Sequence, residues 1–332
     1  MSALDTIISK AKTSPQKIVL PEAHDPRIVS AANLANQAGI AHPVLIGDTD
    51  TVVKIARQSG INPDSLNIVN PALSDHLHAY GNRLFELRKH KGMTQEQAAK
   101  LVGQPLMYAN MMLRESAADG CVAGAVHTTS EVIRTALQVI GMRKTSELVS
   151  SFFLMDHQKP HQAVKGAVLY ADCAMVIDPS ETQLAAIAID TAENAQSLLG
   201  VDPTVALLSF STAGSAQHPN VDKVRNAGVI IESTRPKIDL MTEVQFDAAI
   251  SPEIRQVKAP EMKTLGAANV FVFPDLQSGN IGYKIAQRIG GVEAIGPVIQ
   301  GLNQPVNDLS RGCSSSDVFN LIAVTCVQAQ QT

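Results

Sequence analysis

The sequence predicts an α/β protein whose mostly parallel sheets are covered by helices on both faces. Three observations carry this. Short β-branched runs alternate with longer helical patterns along most of the chain, the mark of repeated βα units. Apolar residues make up 45% of the chain while aromatics are only 4% and Trp is absent, so the interior must be aliphatic, as buried parallel strands and their helices require. At 332 residues the chain exceeds the usual single core, which calls for two domains or one large α/β domain.

The elements follow in order. The opening stretch, Met1 to Gln16, is polar and amphipathic. Lys17 to Pro21 reads as a strand, about Asp25 to Ala38 as a helix, Pro43 to Gly47 as a strand and Thr51 to Gln58 as a short helix. Asn82 to Lys91 and Thr94 to Val102 are expected to be helices broken at Gly92. Cys121 to Val126 is a strand leading to a helix over Ser130 to Ile140. A glycine-marked basic connection, Gly141 to Thr145, is a plausible domain boundary. Beyond it, Ala167 to Tyr170 and Ala174 to Ile177 look like strands, and Glu181 to Leu199 is a long helix. Val205 to Ser209 is a strand, Pro219 to Ala227 a helix and Val229 to Ile231 a strand. Asn269 to Phe273 is a strand and Gly282 to Ile289 a helix. The last helix carries Val318, Leu321, Ile322, Thr325 and Cys326 at helical spacing. If that helix returns to the first domain, its leading loop lies in a cleft.

Composition removes several classes of function. A net charge of −4 with no long basic run argues against a nucleic-acid partner. Anionic substrates would need a few well-placed arginines rather than a broad field. Cys121, Cys173, Cys313 and Cys326 are widely spaced with no CxxC pair, so reduced thiols in a cytoplasmic protein are expected rather than disulfides or a metal. No apolar run approaches ~18 residues and the N-terminus is not a signal peptide, so no membrane association is expected.

The candidate chemistry concentrates in Pro305 to Asp317, which places Arg311, several hydroxyls, Gly312 and Asp317 just before the last helix. Ser315 or Ser316 would cap that helix, delivering the loop to an N-terminus whose backbone N–H groups favour anions. Arg311 adds a planar donor fork suited to phosphate or carboxylate. Each residue also has a plain structural explanation: Asp317 can complement the helix dipole, Arg311 can pair with Asp308, and the serines can simply cap. Two further loops share the pattern. His127-Thr128-Thr129-Ser130-Glu131 precedes a helix with Thr128 and Glu131 at capping-box spacing, and Arg134 lies one turn inside. Ser209 to Ala216 holds hydroxyls with one glycine, but no GKS or GKT follows and no GxGxxG occurs. ATP and dinucleotide readings lose support, and phosphate held without a nucleotide fingerprint gains it. His76 and His78 lack a third ligand, Pro160 keeps His157 and His161 out of helical register, and Arg88 to Lys91 reads as a solvated helix end.

With these residues in view, the chain resembles the phosphate acetyltransferase family over essentially its whole length. The resemblance is carried by Pro305 to Cys313 (PVNDLSRGC), Ala268 to Ala286 (ANVFVFPDLQSGNIGYKIA), Gln245 to Ala249 (QFDAA), Ala123 to Thr129 (AGAVHTT) and Leu208 to Ala216 (LSFSTAGSA). Departures occur at Leu20 to His24, at Ala213 where many relatives carry lysine, and at Glu261 to Thr264. The first two leave the core reaction untouched but bear on substrate affinity or acyl preference.

The resemblance implies a two-domain fold like that of isocitrate and isopropylmalate dehydrogenases, used without a nicotinamide cofactor. The expected domains are 1–145 plus 297–332, and 146–296, with the active site in the cleft between them and a homodimer as the assembly. It implies reversible acetyl transfer between coenzyme A and inorganic phosphate, with acetyl-CoA and phosphate on one side and CoA and acetyl phosphate on the other, and no permanently bound cofactor or metal. Ser310, Arg311 and Asp317 would be the catalytic group. Arg88 and Arg134 would bind the anionic substrates, helped by Thr128, Thr129, Ser130, Ser211, Thr212, Gly214, Ser215, Asn280, Tyr283 and Lys284. Asp317 would be the base for the CoA thiol. Full proton transfer from an ordinary thiol to an ordinary aspartate is uphill by ~6 kcal/mol, so transfer concerted with attack is expected. Cys313 need not be a nucleophile. A propionyl- or butyryltransferase shares this chemistry. A nicotinamide-dependent dehydrogenase and a non-catalytic acyl-CoA-sensing domain are the rivals from other classes.

Overall fold

The structure, a computed structural model, describes residues 2–264 and 266–331. The chain divides into two compact units, one formed by Ile7–Arg143 with the chain from Leu302 onward, the other by Lys144–Gly301 with the residues before Ile7. No helix of the described residues is long and apolar enough to cross a membrane.

The first unit is entered through α1 (Ala3–Thr13) and runs β1 (Gln16–Leu20), α2 (Pro26–Gln37), β2 (Ala41–Ile46), α3 (Thr49–Gln58), β3 (Asn67–Val69), α4 (Leu77–Arg88), α5 (Gln95–Val102), α6 (Pro105–Arg114), β4 (Gly120–Ala123) and α7 (Thr129–Val139). The helix break expected at Gly92 is present, with that glycine in the left-handed region. The strand expected to reach Val126 stops at Ala123. Helix α6 and strand β3 went unread in the sequence.

The second unit runs β5 (Ser150–His157), β6 (Gly166–Ala171), α8 (Glu181–Asn194), β7 (Thr204–Leu208), α9 (Pro219–Thr234), β8 (Asp239–Val244), α10 (Phe246–Ile250), α11 (Pro252–Lys258), β9 (Val270–Val272), α12 (Leu276–Arg288) and β10 (Glu293–Gln300). Its sheet has the order β10-β5-β6-β9-β7-β8, antiparallel where β5 meets β10 and β6 and parallel elsewhere. Met155, Val168, Tyr170, Met241 and Phe271 are among its core residues. Two expected strands are corrected here. Val229–Ile231 belongs to α9, because Val221, Val224, Ala227 and Ile231 continue one helical stripe into the core while Val229 faces outward. Ala174–Ile177 is a loop, because the N–H groups of Ala174, Met175 and Val176 all donate to the Asp172 carboxylate instead of a ladder.

The chain then returns to the first unit as β11 (Val306–Asp308) and α13 (Ser315–Ala329). That unit's sheet has the order β11-β4-β1-β2-β3 and is parallel throughout. Ile18, Val19 and Leu20 of β1 and Cys121, Val122 and Ala123 of β4 are fully buried, as strands covered on both faces must be. Helix α13 packs on α2, β1 and β4. Gly120 makes this approach possible, because a Cβ there would meet Thr325 Cγ2 at 2.7 Å and Ile18 Cδ1 at 2.9 Å. Three adjacent strands, β11, β4 and β1, thus end side by side. Ligands of open parallel sheets gather at such carboxyl ends.

Candidate active site

The loops after β1, β4 and β11 are tied together by two charged groups, the buried Glu22 and the half-buried Arg27. Glu22, just past β1, is 0% exposed. Its Oε2 accepts from the Ala125 N–H at 2.7 Å, and its Oε1 accepts from the N–H groups of Val126 and His127 and from His127 Nδ1 at 3.0, 2.8 and 2.8 Å. Burial alone would raise this carboxyl, but the His127 and backbone donors outweigh it and hold Glu22 below its usual value. The Glu22 bond in turn holds His127 above its ordinary value against the effect of its own burial.

Arg27 is the second tie. It forks onto Asp25, with Nη2 at 2.6 Å from Oδ2, while Nη1 donates to the carbonyls of Arg311 and Cys313 at 2.8 Å each. Nη2 also donates to Ala125 O at 3.0 Å. One guanidinium therefore fixes the backbones on either side of the candidate chemistry, leaving the exposed Arg311 side chain to point where a ligand can reach it.

These ties shape a cavity of about 390 Å³ lined by His127, Thr128, Thr129, Ser130, Leu309, Ser310 and Arg311. Thr128 caps α7 in the expected box, its N–H donating to Glu131 Oε2 at 2.8 Å and its Oγ1 accepting from the Glu131 N–H at 3.3 Å. The N–H groups of Thr129 and Ser130 take no partner among the described residues, so they remain available to an anion. Behind them Asp308, 1% exposed, accepts the Thr129 hydroxyl on Oδ2 at 2.6 Å. Burial, with the Glu22 charge adding and the Thr129 bond opposing, pushes Asp308 up to about 6. The pairing of Arg311 with Asp308 considered from sequence is therefore not the one formed.

The cap of α13 is Ser314, one residue before the expected Ser315 or Ser316. Asp317 completes a capping box with it: Oδ2 accepts from the Ser314 N–H and hydroxyl at 2.8 Å each, while Oδ1 takes no bond among the described residues. Ser310 Oγ accepts from the Gly312 N–H at 3.3 Å. Cys313 is buried, which pushes its thiol up although Arg27 pulls it down.

Arg88 lines a second cavity of about 540 Å³ in the same unit, with Lys91, Lys100, Gln97 and Gln138 among its walls. Arg134 and Gln138 are four apart on α7 and share a face. That face runs from the first cavity toward the second.

The candidates in the Lys144–Gly301 unit line neither cavity. Ser211 Oγ donates to Glu243 Oε1 at 2.6 Å and the Gly214 N–H donates to the same oxygen at 2.9 Å. Thr212 Oγ1 bonds Gln245 at 3.2 Å, and Ser215 Oγ accepts from the Thr212 N–H at 3.0 Å. Arg225 closes the cluster on Glu243. These hydroxyls hold their own loop together. On α12, Asn280 donates to Cys173 O at 3.0 Å, Tyr283 stacks on Phe153 at 4.1 Å and Lys284 donates to Asn280 at 2.7 Å. Sequence reading missed Glu22, Arg27 and Asp308 as site builders. The carboxylate ending the short strand Val306-Asn307-Asp308 was the one available signal.

A profile for the family described as Phosphate acetyl/butaryl transferase matches residues 2–326. The chain belongs to this family. Over 330 residues this family member is 44% identical to the Phosphate acetyltransferase of Thermoanaerobacterium thermosaccharolyticum, covering 99% of this chain and 100% of that one. It superposes on a phosphotransacetylase from Streptococcus pyogenes with a TM-score of 0.93 at 41% identity, covering 99% of this chain and 98% of that one. A 4-hydroxythreonine-4-phosphate dehydrogenase from Klebsiella pneumoniae matches with a TM-score of 0.54 at 10% identity, over 96% of this chain and 99% of that one. That last likeness shows the fold alone, and it bears out the dehydrogenase-like architecture expected from the sequence.

Proposed function

We propose that the protein is a phosphate acetyltransferase, moving an acetyl group reversibly between coenzyme A and inorganic phosphate. The observation that carries the reading is the pocket at the start of α7. There two unpartnered N–H groups, the hydroxyls of Ser130 and Ser310 and the Arg311 guanidinium converge in a chain 44% identical to a phosphate acetyltransferase.

In the forward direction the CoA sulfur attacks the acetyl carbonyl of acetyl phosphate. The S–C bond forms, the C–O bond to phosphate breaks, and the thiol proton leaves with phosphate as its final acceptor. Asp317 takes that proton from sulfur as attack proceeds. Arg311 and Ser310 hold the phosphoryl group and the charge that grows on the leaving oxygen, a role worth ~3–4 kcal/mol per key donor. Along α7, Arg134 and then Gln138 lead from the thiol end toward Arg88, Lys91 and Lys100. Ser130 and Gln138 are ~12 Å apart along the helix axis, a span suited to an extended cofactor-sized substrate whose anionic end meets those three cations.

The four cysteines are all free thiols, which supports a cytoplasmic location. An exposed apolar stripe on α12 supports a homodimer.

The test is acetyl-CoA formation from CoA and acetyl phosphate, run beside propionyl and butyryl phosphates and after exhaustive chelation. Highest kcat/KM with acetyl phosphate, unchanged by chelation and without nicotinamide, is expected. No turnover, preference for butyryl phosphate, or full loss on chelation would each defeat the reading.

A further inference from the structure

Asp308 is a buried acid beside the pocket that the reaction above leaves without a role. It closes β11, and the whole neighbourhood is built around its carboxyl. Oδ2 accepts the Thr129 hydroxyl at 2.6 Å, and Oδ1 is buried with no partner. Gly124, with φ +108°, lies so close that a Cβ would overlap Oδ1, so the loop after β4 is shaped to this side chain. Thr129 is both the first residue of α7 and part of the cavity wall.

We propose that Asp308 is a positioning residue that sets, through the Thr129 hydroxyl, how many hydrogen-bond donors the pocket offers a phosphoryl anion. The inference rests on reading that pocket as the phosphoryl site. A threonine hydroxyl has one proton to give. When Asp308 is ionised it can only accept, so it takes that proton and turns an oxygen lone pair toward the pocket, which repels an anion. When Asp308 carries a proton it donates to Thr129 Oγ1, and the threonine's own proton is released toward the ligand. Glu22 after β1 is the charged group whose field reaches it, and His127 and Arg311 share the cavity wall with Thr129. Burial and the Glu22 charge bring the change to about pH 6, close to neutral conditions. Phosphate should therefore bind better on the acid side than its own ionisation explains.

The experiment is the KM for inorganic phosphate from about pH 5.5 to 8, in the direction that consumes acetyl-CoA. It compares wild type, Asp308→Asn, Thr129→Val, Thr129→Ser and the Asp308→Asn/Thr129→Val pair. The asparagine amide donates to Thr129 at every pH, so Asp308→Asn should lower the phosphate KM at the alkaline end by about 10-fold, the scale of a hydrogen bond to a charged group. The two proteins should converge at the acid end. Phosphate's own ionisation cancels in the ratio. In the Thr129→Val background Asp308→Asn should have no effect, whereas Thr129→Ser should keep the wild-type profile. A wild-type to Asp308→Asn ratio flat with pH overturns the proposal, and so does a 10-fold effect that persists without the threonine hydroxyl. If Asp308→Asn does not fold, the ratio of wild type to Thr129→Val decides, and it must change with pH. Arg311→Ala is the control: an unchanged phosphate KM there removes the pocket reading itself, while a raised one with a flat Asp308→Asn ratio removes this inference alone.

Discussion

Arg311 and Arg134 carry the same charge but are held in different ways. The Arg311 carbonyl is clamped by Arg27 at 2.8 Å, so its guanidinium starts from a fixed backbone on the cavity wall. Arg134 projects from the second turn of α7 and is exposed. A preorganised donor fork acts mainly in the transition state, whereas an exposed cation on the substrate's path contributes to binding in both states. Arg311→Lys keeps the charge and loses the fork, and should cut kcat by at least ~100-fold. Arg134→Ala should raise KM for CoA more than it lowers kcat. Steady-state kinetics on both variants decide, and an Arg311→Lys effect confined to KM would sink the mechanism. Cys313 belongs to the same scale. Its thiol is buried and pushed up by that burial, so at neutral pH it remains a thiol, a poor nucleophile. Cys313→Ala should retain most activity. An acetylated Cys313 that forms and decays at the turnover rate would show a covalent route instead.

Among the elements, what could be read from sequence was what depends on near neighbours. The Thr128 box spans three residues and Asp25 caps the helix it adjoins, so both follow from local spacing. Even there register slipped by one, because Ser314, Ser315 and Ser316 offer equivalent hydroxyls and only Asp317 Oδ2 selects Ser314. Glu22, Arg27 and Asp308 were illegible for the opposite reason. Their partners lie 103, 286 and 179 residues away, and only the sheet order β11-β4-β1 brings them together. Those ties predict a pH signature for stability. Glu22 is held below its usual value, so its contribution is present above ~4.3 and is lost as pH falls through its folded value. His127 is held above its usual value, so its contribution is complete below ~6.5 and is lost as pH rises through its folded value. The pair supports the loop best between those limits. Urea unfolding across pH should show that wild type's stability excess over His127→Ala is largest below ~6.5 and fades as pH rises, with a smaller acid-side loss because His127 also helps hold Glu22 low, whereas Glu22→Gln removes both contributions. Asp308 also loses stability as pH rises, so the difference from wild type is the quantity to read. An excess that declines identically with His127 absent would assign the flank to another group.

For the whole molecule, the open question of assembly centres on α12. Ile281, Ile285 and Ile289 are 58, 52 and 83% exposed and stand four apart, so they form one stripe. Ile177, 72% exposed, continues the patch, because its carbonyl accepts from the Leu276 N–H at 3.0 Å where α12 begins. Burying the still exposed part of the three stripe residues would contribute roughly 3–6 kcal/mol per chain. Association costs about 4–15 kcal/mol, so the stripe is enough to nucleate a dimer but needs the surrounding patch to hold one. The helix is amphipathic with its inner face already used, Tyr283 stacking on Phe153, which leaves the stripe for another molecule rather than its own core. Self-association by this face requires a two-fold arrangement in which each α12 meets its own copy or the Ile177 end of it. Light scattering on the purified protein should give twice the chain's mass, and Ile281→Asp/Ile285→Asp should shift it to the monomer with the far-ultraviolet spectrum unchanged. A wild-type monomer, or a double variant that stays dimeric, would place the contact elsewhere or remove it.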